Sequence, residues 1–232
     1  MKNQNEFELE NWYKNHYSQV NATAISGSFA SRILHKSLEK PFKSNSKQHL
    51  LEVGSNVGEH LSFVANDYSS YLLTDIRPLD GKSILDEIRT RAKRTEIDFQ
   101  IADVQALPFQ NEKFDRVIST CVFHHLDDPL EAFYQVRRVT KIGGTISILI
   151  PNDPGVLYRF LRNMTTVRMA KKEGLYEESR FLHAIQHRNH YLQLRTLLGH
   201  VFGKDEIRTT HYPLKIESYN LNAISVFHIN KK

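Results

Sequence analysis

The sequence predicts an α/β fold, a doubly wound sheet of mainly parallel strands with helices on both faces. Two observations carry that expectation. Strand-like apolar runs alternate with helix-like periodic segments through residues 46–150, the pattern of a parallel sheet covered on both sides. The run at 145–150 (TISILI) is also nearly continuous in its apolar character, as expected of a strand buried on both faces.

Taken in order, strands are read at residues 49–53 (HLLEV), 71–74 (YLLT), 97–102, 114–119 (FDRVIS) and 145–150. Helices fill the gaps, at 58–66 after the first strand, 83–94 after the second, and 129–140 before the fifth. The last has proline near its start, which suits a first helical turn, and Leu130, Phe133, Val136 and Val139 recur at helical spacing. Lys141, Ile142, Gly143 and Gly144 supply its stop. Beyond Ile150 the segment Pro151-Asn152-Asp153-Pro154-Gly155 reads as a loop. Two helical stretches follow, roughly 156–172 and 179–201, with the look of an insertion. Residues 206–211 and 223–229 read as a closing pair of strands. The first 45 residues read as mostly helical, with Trp12, Tyr13, Tyr17 and Phe29 among polar neighbours. They suit either a lid or a helix covering a sheet edge. Neither an internal repeat nor a low-complexity tract is present.

Composition narrows the class. Hydrophobic residues at 40%, charged residues at 25%, 10 Gly and 7 Pro match a soluble globular chain and exclude fibrous and disordered readings. The apolar runs are far shorter than the roughly 20 residues of a membrane span, and the opening MKNQNEFELE is too polar for a signal peptide. A cytoplasmic location is therefore expected. The single cysteine, Cys121, makes neither an intrachain disulfide nor a multi-thiolate metal site. The net charge of +5 is unevenly spread, because residues 155–215 carry eleven Lys/Arg against five acids. Such a stretch is either a solvated helical surface or a site for phosphate, nucleotide or nucleic acid. No RGG tract, zinc-finger spacing or RNP-like strand favours nucleic acid.

The most informative segment is LLEVGSNVGEHL, residues 50–61. An apolar strand ends in Glu52, passes through Gly54 and Gly58, and enters a helix-like segment. Glycine allows a sharp bend and close approach of backbone to a ligand, and a helix start offers free N–H groups to a nucleotide-type cofactor. The spacing is neither that of a dinucleotide-binding turn nor that of a Walker loop. Three further carboxylate-bearing strand ends are read beside it: Asp75 in LLTDIRP, Asp103 in IADVQALPF and Asp115 in FDRVISTCVFHHLDDP. In an open α/β sheet the carboxyl ends of strands line one ligand crevice, and an acid about 20 residues beyond the glycine turn is placed to accept from ribose hydroxyls. Asp75 occupies that place. Asp103 is placed to accept from an adenine amino group, with the Val104 N–H facing a ring nitrogen.

In order and spacing, Glu52-x-Gly54-x-Asn56-x-Gly58, Asp75, Asp103-Val104 and VISTCVFHHLDDP resemble the class I S-adenosylmethionine-dependent methyltransferases, in particular the small-molecule "methyltransferase type 11" group. The resemblance covers residues 50–150. It implies a Rossmann-like seven-stranded sheet with an antiparallel last strand, into which the terminal strand pair fits. It also implies S-adenosyl-L-methionine as cofactor. Glu52, Gly54, Ser55, Asn56 and Gly58 would form the donor turn, the last four wrapping the methionine part. Asp75 with Ile76 would hold the ribose, Asp103 with Val104 the adenine, and Ser119 and Thr120 would lie near the sulfonium. One departure is Asn56 where the family carries its middle glycine; asparagine tolerates the left-handed conformation better than other side chains. The stretches SRILHKSLEKPF and HRNHYLQL are also similar to predicted methyltransferases from bacterial surface-polysaccharide gene clusters.

On this reading the chain is one methyltransferase domain in four parts: a helical lid (1–45), a cofactor-binding core (46–150), a helical substrate cap (151–203) and a terminal strand pair (204–232). A hydroxyl acceptor gains from a residue that removes its proton, usually histidine. His124 and His125 sit beside the expected methyl position, His124 as base or acceptor-orienting group. His183, His187 and His190 are spaced four and three along one predicted helix and so share a face. No metal site is assigned to them, since no His-Glu-x-x-His or thiolate set is present; they suit a face lining the acceptor cleft, with His190 and Arg188 meeting an anionic acceptor. No Asn/Asp-Pro-Pro-Tyr follows the fourth strand, and Cys121 lacks the Pro-Cys context of a cytosine-methylating nucleophile. The expected function is methyl transfer to a small anionic acceptor, a hydroxyl of a phosphate- or nucleotide-linked sugar or envelope-glycan precursor. RNA methylation and a non-catalytic subunit of the same fold are the alternatives.

Overall fold

The computed structural model describes residues 29–40, 47–64, 67–79, 82–92 and 96–232. Its elements in chain order are α1 (Phe29–Glu39), β1 (Gln48–Val53), β2 (Tyr68–Asp75), α2 (Lys82–Ala92), β3 (Ile97–Ile101), β4 (Phe114–Thr120), α3 (Pro129–Val139) and β5 (Thr140–Pro151). Then follow α4 (Val156–Arg162), α5 (Arg168–Lys172), α6 (Tyr176–Gln186), α7 (Tyr191–Phe202), β6 (Glu206–Tyr212) and β7 (Ile224–Asn230).

The seven strands form one sheet in the order β3-β2-β1-β4-β5-β7-β6. All pairings are parallel except those of β7, which runs antiparallel to both neighbours. The chain winds outward from β1 through β2 to β3, then returns to place β4 on the other side of β1. That reversal is where such sheets open a crevice at the carboxyl ends of their strands. Register sets its floor: Val53 lies beside Thr74 on one flank and Ser119 on the other, and Asp75 lies beside Ile101.

Successive side chains point to opposite faces, and both faces are buried. Leu51, Val117, Ile146 and Ile148 pack with Phe133 and Val136 of α3 and with Leu194 and Leu198 of α7. Leu50, Ile118, Leu149 and Val226 face the other way, toward Leu38 of α1 and Ile88 of α2. Arg116 is almost wholly buried at 1% exposure. Its guanidinium donates to both carboxylate oxygens of Glu39 at 2.9 and 2.7 Å, to Ser147 Oγ at 3.1 Å and to the Leu38 carbonyl at 3.4 Å. A buried charge persists only when it is paired and hydrogen-bonded in this way.

Several sequence expectations are corrected. The predicted helix at 58–66 reduces to a short 3₁₀ turn at His60–Phe63, residues 65 and 66 lying outside the described residues. Asn56 at φ 48° and Gly58 at φ 67° hold the chain in a left-handed bend that no right-handed helix can continue. The helix α3 ends at Val139, with Thr140 as its cap, so the stretch 141–144 is not its stop but lies inside β5, which starts five residues earlier than predicted. There the Gly143 N–H donates to the Lys231 carbonyl at 2.8 Å, and the Lys231 N–H to the Gly144 carbonyl at 3.0 Å. Asp115 stands at the amino end of β4, away from the crevice, where it accepts from the His49 N–H at 2.8 Å and from Lys141 Nζ at 2.7 Å. The helix predicted at 179–201 is two helices, α6 and α7, with a break at 187–190. Trp12, Tyr13 and Tyr17 of the expected lid lie outside the described residues, and Phe29 opens α1. No helix among the described residues is long and apolar enough to cross a membrane.

Candidate active site

The loop after β1 is shaped by three left-handed residues. Gly54 has φ 66°, and a Cβ there would stand 2.3 Å from Val122 Cγ2, so only glycine lets this loop lie against the turn after β4. Asn56 and Gly58 supply the other two. The Ser55 N–H donates to the Thr74 carbonyl at 2.9 Å and the Gly58 N–H to the Ser55 carbonyl at 2.8 Å, which ties the loop to β2.

Asp75 closes the far side of this loop. Its Oδ2 accepts from the Asn56 N–H at 3.0 Å and its Oδ1 from the Arg77 N–H at 3.0 Å. Each oxygen keeps a further lone pair. Beside it Ile76 is 64% exposed, an apolar side chain left on the rim. At the end of β3, Asp103 Oδ1 accepts from the Gln105 N–H at 2.9 Å and caps the 3₁₀ turn Val104–Ala106. The Val104 side chain turns into the core. Ser119 and Thr120 end β4, and the hydroxyls of Ser55 and Ser119 are both buried without a hydrogen-bond partner among the described residues. Glu52 does not reach the rim. It is buried, accepts from the Tyr71 hydroxyl at 2.6 Å, and burial pushes its carboxyl up.

Across the crevice, a 3₁₀ turn at Phe123–His125 carries His124 and His125. The cap delivers His183 and His187 to the same place. Ring centroids are 3.8 Å apart for His124 and His125, 4.5 Å for His124 and His187, and 3.9 Å for His183 and His187. Asp153, in the loop after β5, accepts from His187 Nδ1 at 2.8 Å. His183 Nε2 lies 3.3 Å from the same oxygen but off the line of a hydrogen bond. Burial pushes the Asp153 carboxyl up, and His183 and His187 more than reverse this, holding it well below the usual carboxylate range. Burial, then the neighbouring imidazoles, lowers His124 well below its ordinary value; burial and His187 bring His125 down to about 4. Both rings are neutral at pH 7. Burial also pushes the Cys121 thiol up to about 12, which keeps it from acting as a thiolate.

The break between α6 and α7 explains how the cap is fastened. The Asn189 N–H donates to the His124 carbonyl at 3.1 Å, and Asn189 Nδ2 donates to the carbonyls of Leu126 at 2.6 Å and Phe123 at 3.3 Å. Arg188 pairs with Asp127. His190 therefore leaves the predicted face: its Nδ1 accepts from the Gln193 N–H at 3.3 Å as the cap of α7. Two residues one helical turn apart on α4 were missed from sequence, Tyr158 and Arg162. The Tyr158 ring lies 6.5 Å from that of His187. Burial lowers the Arg162 guanidinium, against Tyr158, Asp153 and Tyr176, and it has no ion pair among the described residues. A hollow of about 420 Å³ lined by Met164, Arg168 and Lys172 opens elsewhere on the cap.

This crevice coincides with a known domain. Residues 51–148 match the family described as "Methyltransferase domain". Over those residues the core of the chain carries a methyltransferase domain. Among similar proteins are the tRNA U34 carboxymethyltransferase of Campylobacter fetus and an O-methyltransferase of Aspergillus sclerotiorum. The first is 26% identical over 149 residues, 61% of this chain and 49% of that protein. The second is 27% identical over 145 residues, 58% and 53% of the two chains. The chain thus spans about half the length of these curated relatives. Phosphoethanolamine N-methyltransferase 2 of Haemonchus contortus, solved with S-adenosyl-L-methionine, shares the fold at a TM-score of 0.62 and 13% identity, over 95% of this chain and 59% of that one. The matched residues hold the rim and the strands from β1 to most of β5, while β6 and β7 lie beyond them. The cap from Asp153 onward, with Tyr158, Arg162, His183 and His187, lies beyond the matched residues.

Proposed function

We propose that the protein transfers a methyl group from S-adenosylmethionine to a hydroxyl of a small anionic acceptor, a phosphate- or nucleotide-linked sugar or an envelope-glycan precursor. When bound, the cofactor supplies an electrophilic methyl on a sulfonium, open to in-line attack. The rim suits it: backbone that only left-handed residues allow, two buried hydroxyls awaiting partners, and an exposed Ile76 beside Asp75. Gly54, Ser55, Asn56 and Gly58 would lie along its methionine part. Asp75 would accept from the ribose hydroxyls with its free lone pairs. Asp103 and the Val104 N–H would meet the adenine edge, and Ser119 and Thr120 the region of the sulfonium.

The observation that carries the acceptor class is the cluster of neutral imidazoles beside Arg162, which is partly buried and has no ion pair among the described residues. Arg162 would draw a phosphate into a site where guanidinium contacts are strong. Neutral His124 would orient the acceptor hydroxyl and take up its proton, a contribution of about 10²–10⁴ in rate. The remaining gain comes from holding donor and acceptor together in a dry cleft.

Calorimetry with the donor and its demethylated product, followed by a screen of phosphorylated sugars and nucleotide sugars for methylated product, tests the reading. His124→Ala should slow transfer by about 10²–10⁴ and leave donor affinity nearly unchanged; an unaltered rate removes His124 from the mechanism. RNA methylation is a second reading, supported by Arg159, Arg168 and Lys172, which make no ion pair among the described residues, and by the relative named for tRNA. RNA affinity that collapses over a fourfold rise in salt would favour it; tight binding of a nucleotide sugar would oppose it.

A further inference from the structure

The histidine cluster uses only part of its hydrogen-bonding capacity inside the protein. His125 Nδ1 lies 2.9 Å from the Gln186 carbonyl. A carbonyl only accepts, so Nδ1 carries the hydrogen and Nε2 keeps its lone pair. His187 Nδ1 is committed in the same way to the Asp153 carboxylate at 2.8 Å, again leaving Nε2 as the bare nitrogen. His124 is 4% exposed, and its Nδ1 is buried without a partner among the described residues. One ligand nitrogen from each of His124, His125 and His187 lies within 4.8 Å of the others.

Imidazoles whose far N–H is anchored by a carbonyl or carboxylate are the form in which histidine binds a metal, because the anchor fixes both tautomer and ring direction. Borderline divalent ions such as zinc favour nitrogen donors, and three protein ligands leave a fourth position for another oxygen. We propose that His124, His125 and His187 form a three-imidazole site for a divalent transition cation, with Asp153 and Gln186 as its outer supports. Metal–nitrogen bonds of about 2.0–2.1 Å require the closely packed rings to rotate outward around the ion. A second set, Asp153, His183 and His187, is equally compact. It is less suitable because using Asp153 as a ligand takes away the anchor of His187. The role in catalysis rests on the methyl-transfer reading above and changes one part of it: with the cation bound, His124 is a ligand and no longer the proton acceptor, and an acceptor hydroxyl at the open position, acidified by the cation, would release its proton to solvent water.

Metal-free protein, prepared with a chelator, is titrated with Zn²⁺ by calorimetry and with Co²⁺ by visible absorption. One equivalent should bind, with the absorption bands of nitrogen-ligated Co²⁺. His125→Ala should weaken binding at least 100-fold, and Asp153→Asn about 10–100-fold. His200→Ala, an exposed histidine on α7, should leave it unchanged. Wild-type protein that binds less than one equivalent at 100-fold excess overturns the site. So does His125→Ala binding as tightly as wild type. Loss in His183→Ala with His125→Ala intact moves the ion to the other set and overturns the ligands named here. Donor binding is measured on the same samples: no metal with donor affinity intact defeats this site alone, whereas no donor binding defeats the methyl-transfer reading.

Discussion

Asp75 carries two duties at one carboxylate, since its oxygens hold the N–H groups of Asn56 and Arg77 and are the acceptors left on the rim. Asp75→Asn separates them. The amide keeps the size and one acceptor but turns the other into a donor facing the Asn56 or Arg77 N–H. Hydrogen bonds to charged groups contribute about 1.5–3 kcal/mol each, so donor affinity should fall about 10–100-fold by calorimetry. Full affinity in Asp75→Asn would detach this residue from the donor site. Much of the rim could be read from sequence because glycine and asparagine mark positions where φ must be positive, a requirement that belongs to the residue itself. Glu52 could not. It sits in the same motif, but the pleat directs it beneath the sheet to Tyr71, and which face a strand residue takes depends on the register of neighbours.

At the level of elements, the strands were legible and the helices less so. Strands show themselves through short apolar runs, and each of the seven overlaps its expected place, with β5 extended by five residues at its start. The break at 187–190 has no proline or glycine to announce it. It forms because Asn189 exchanges helical bonds for three bonds to the turn after β4, a competition that only the assembled fold decides. That same break carried His190 away from the cluster, while His187, Asp153 and the β4 turn converged from separate elements. Asn189→Ala leaves the carbonyls of Phe123 and Leu126 without this donor. Each buried unmet group costs about 1–3 kcal/mol, and for a chain of this size Tm falls by about 2–4 °C per kcal/mol. The variant should also be cleaved faster by limited proteolysis near 187–190. Unchanged cleavage and Tm would mean that the cap is held elsewhere.

For the whole molecule, the face of the sheet opposite the cap hides an ionic network that ties α1 to the strands. Glu39 accepts from Arg116 and lies 3.0 Å from His60 Nε2; His60 Nδ1 lies 2.9 Å from His35 Nδ1, and His228 Nδ1 lies 3.2 Å from Ser147 Oγ, itself a partner of Arg116. Burial, His60 and, in opposition, Glu39 set His35 at about 4. Burial and Arg116, against Glu39, bring His228 to about 4. Burial pushes Glu39 up, but His60 and Arg116 outweigh it and hold the carboxyl at about 2. In the unfolded chain the two imidazoles take protons near their ordinary 6.5. Between there and about 4 the unfolded state therefore binds more protons, and folding stability falls as pH falls. Glu39 continues the loss from its ordinary 4.5 down to about 2. Above pH 7 these groups contribute no slope. Each imidazole is worth on the order of 1–3 kcal/mol across its window, so Tm should drop by roughly 5–10 °C between pH 7.5 and pH 4.5. His228→Gln, which cannot take a proton, should flatten that dependence by removing one of the two imidazole contributions. Equal slopes in the variant and the wild type would remove His228 from the acid sensitivity.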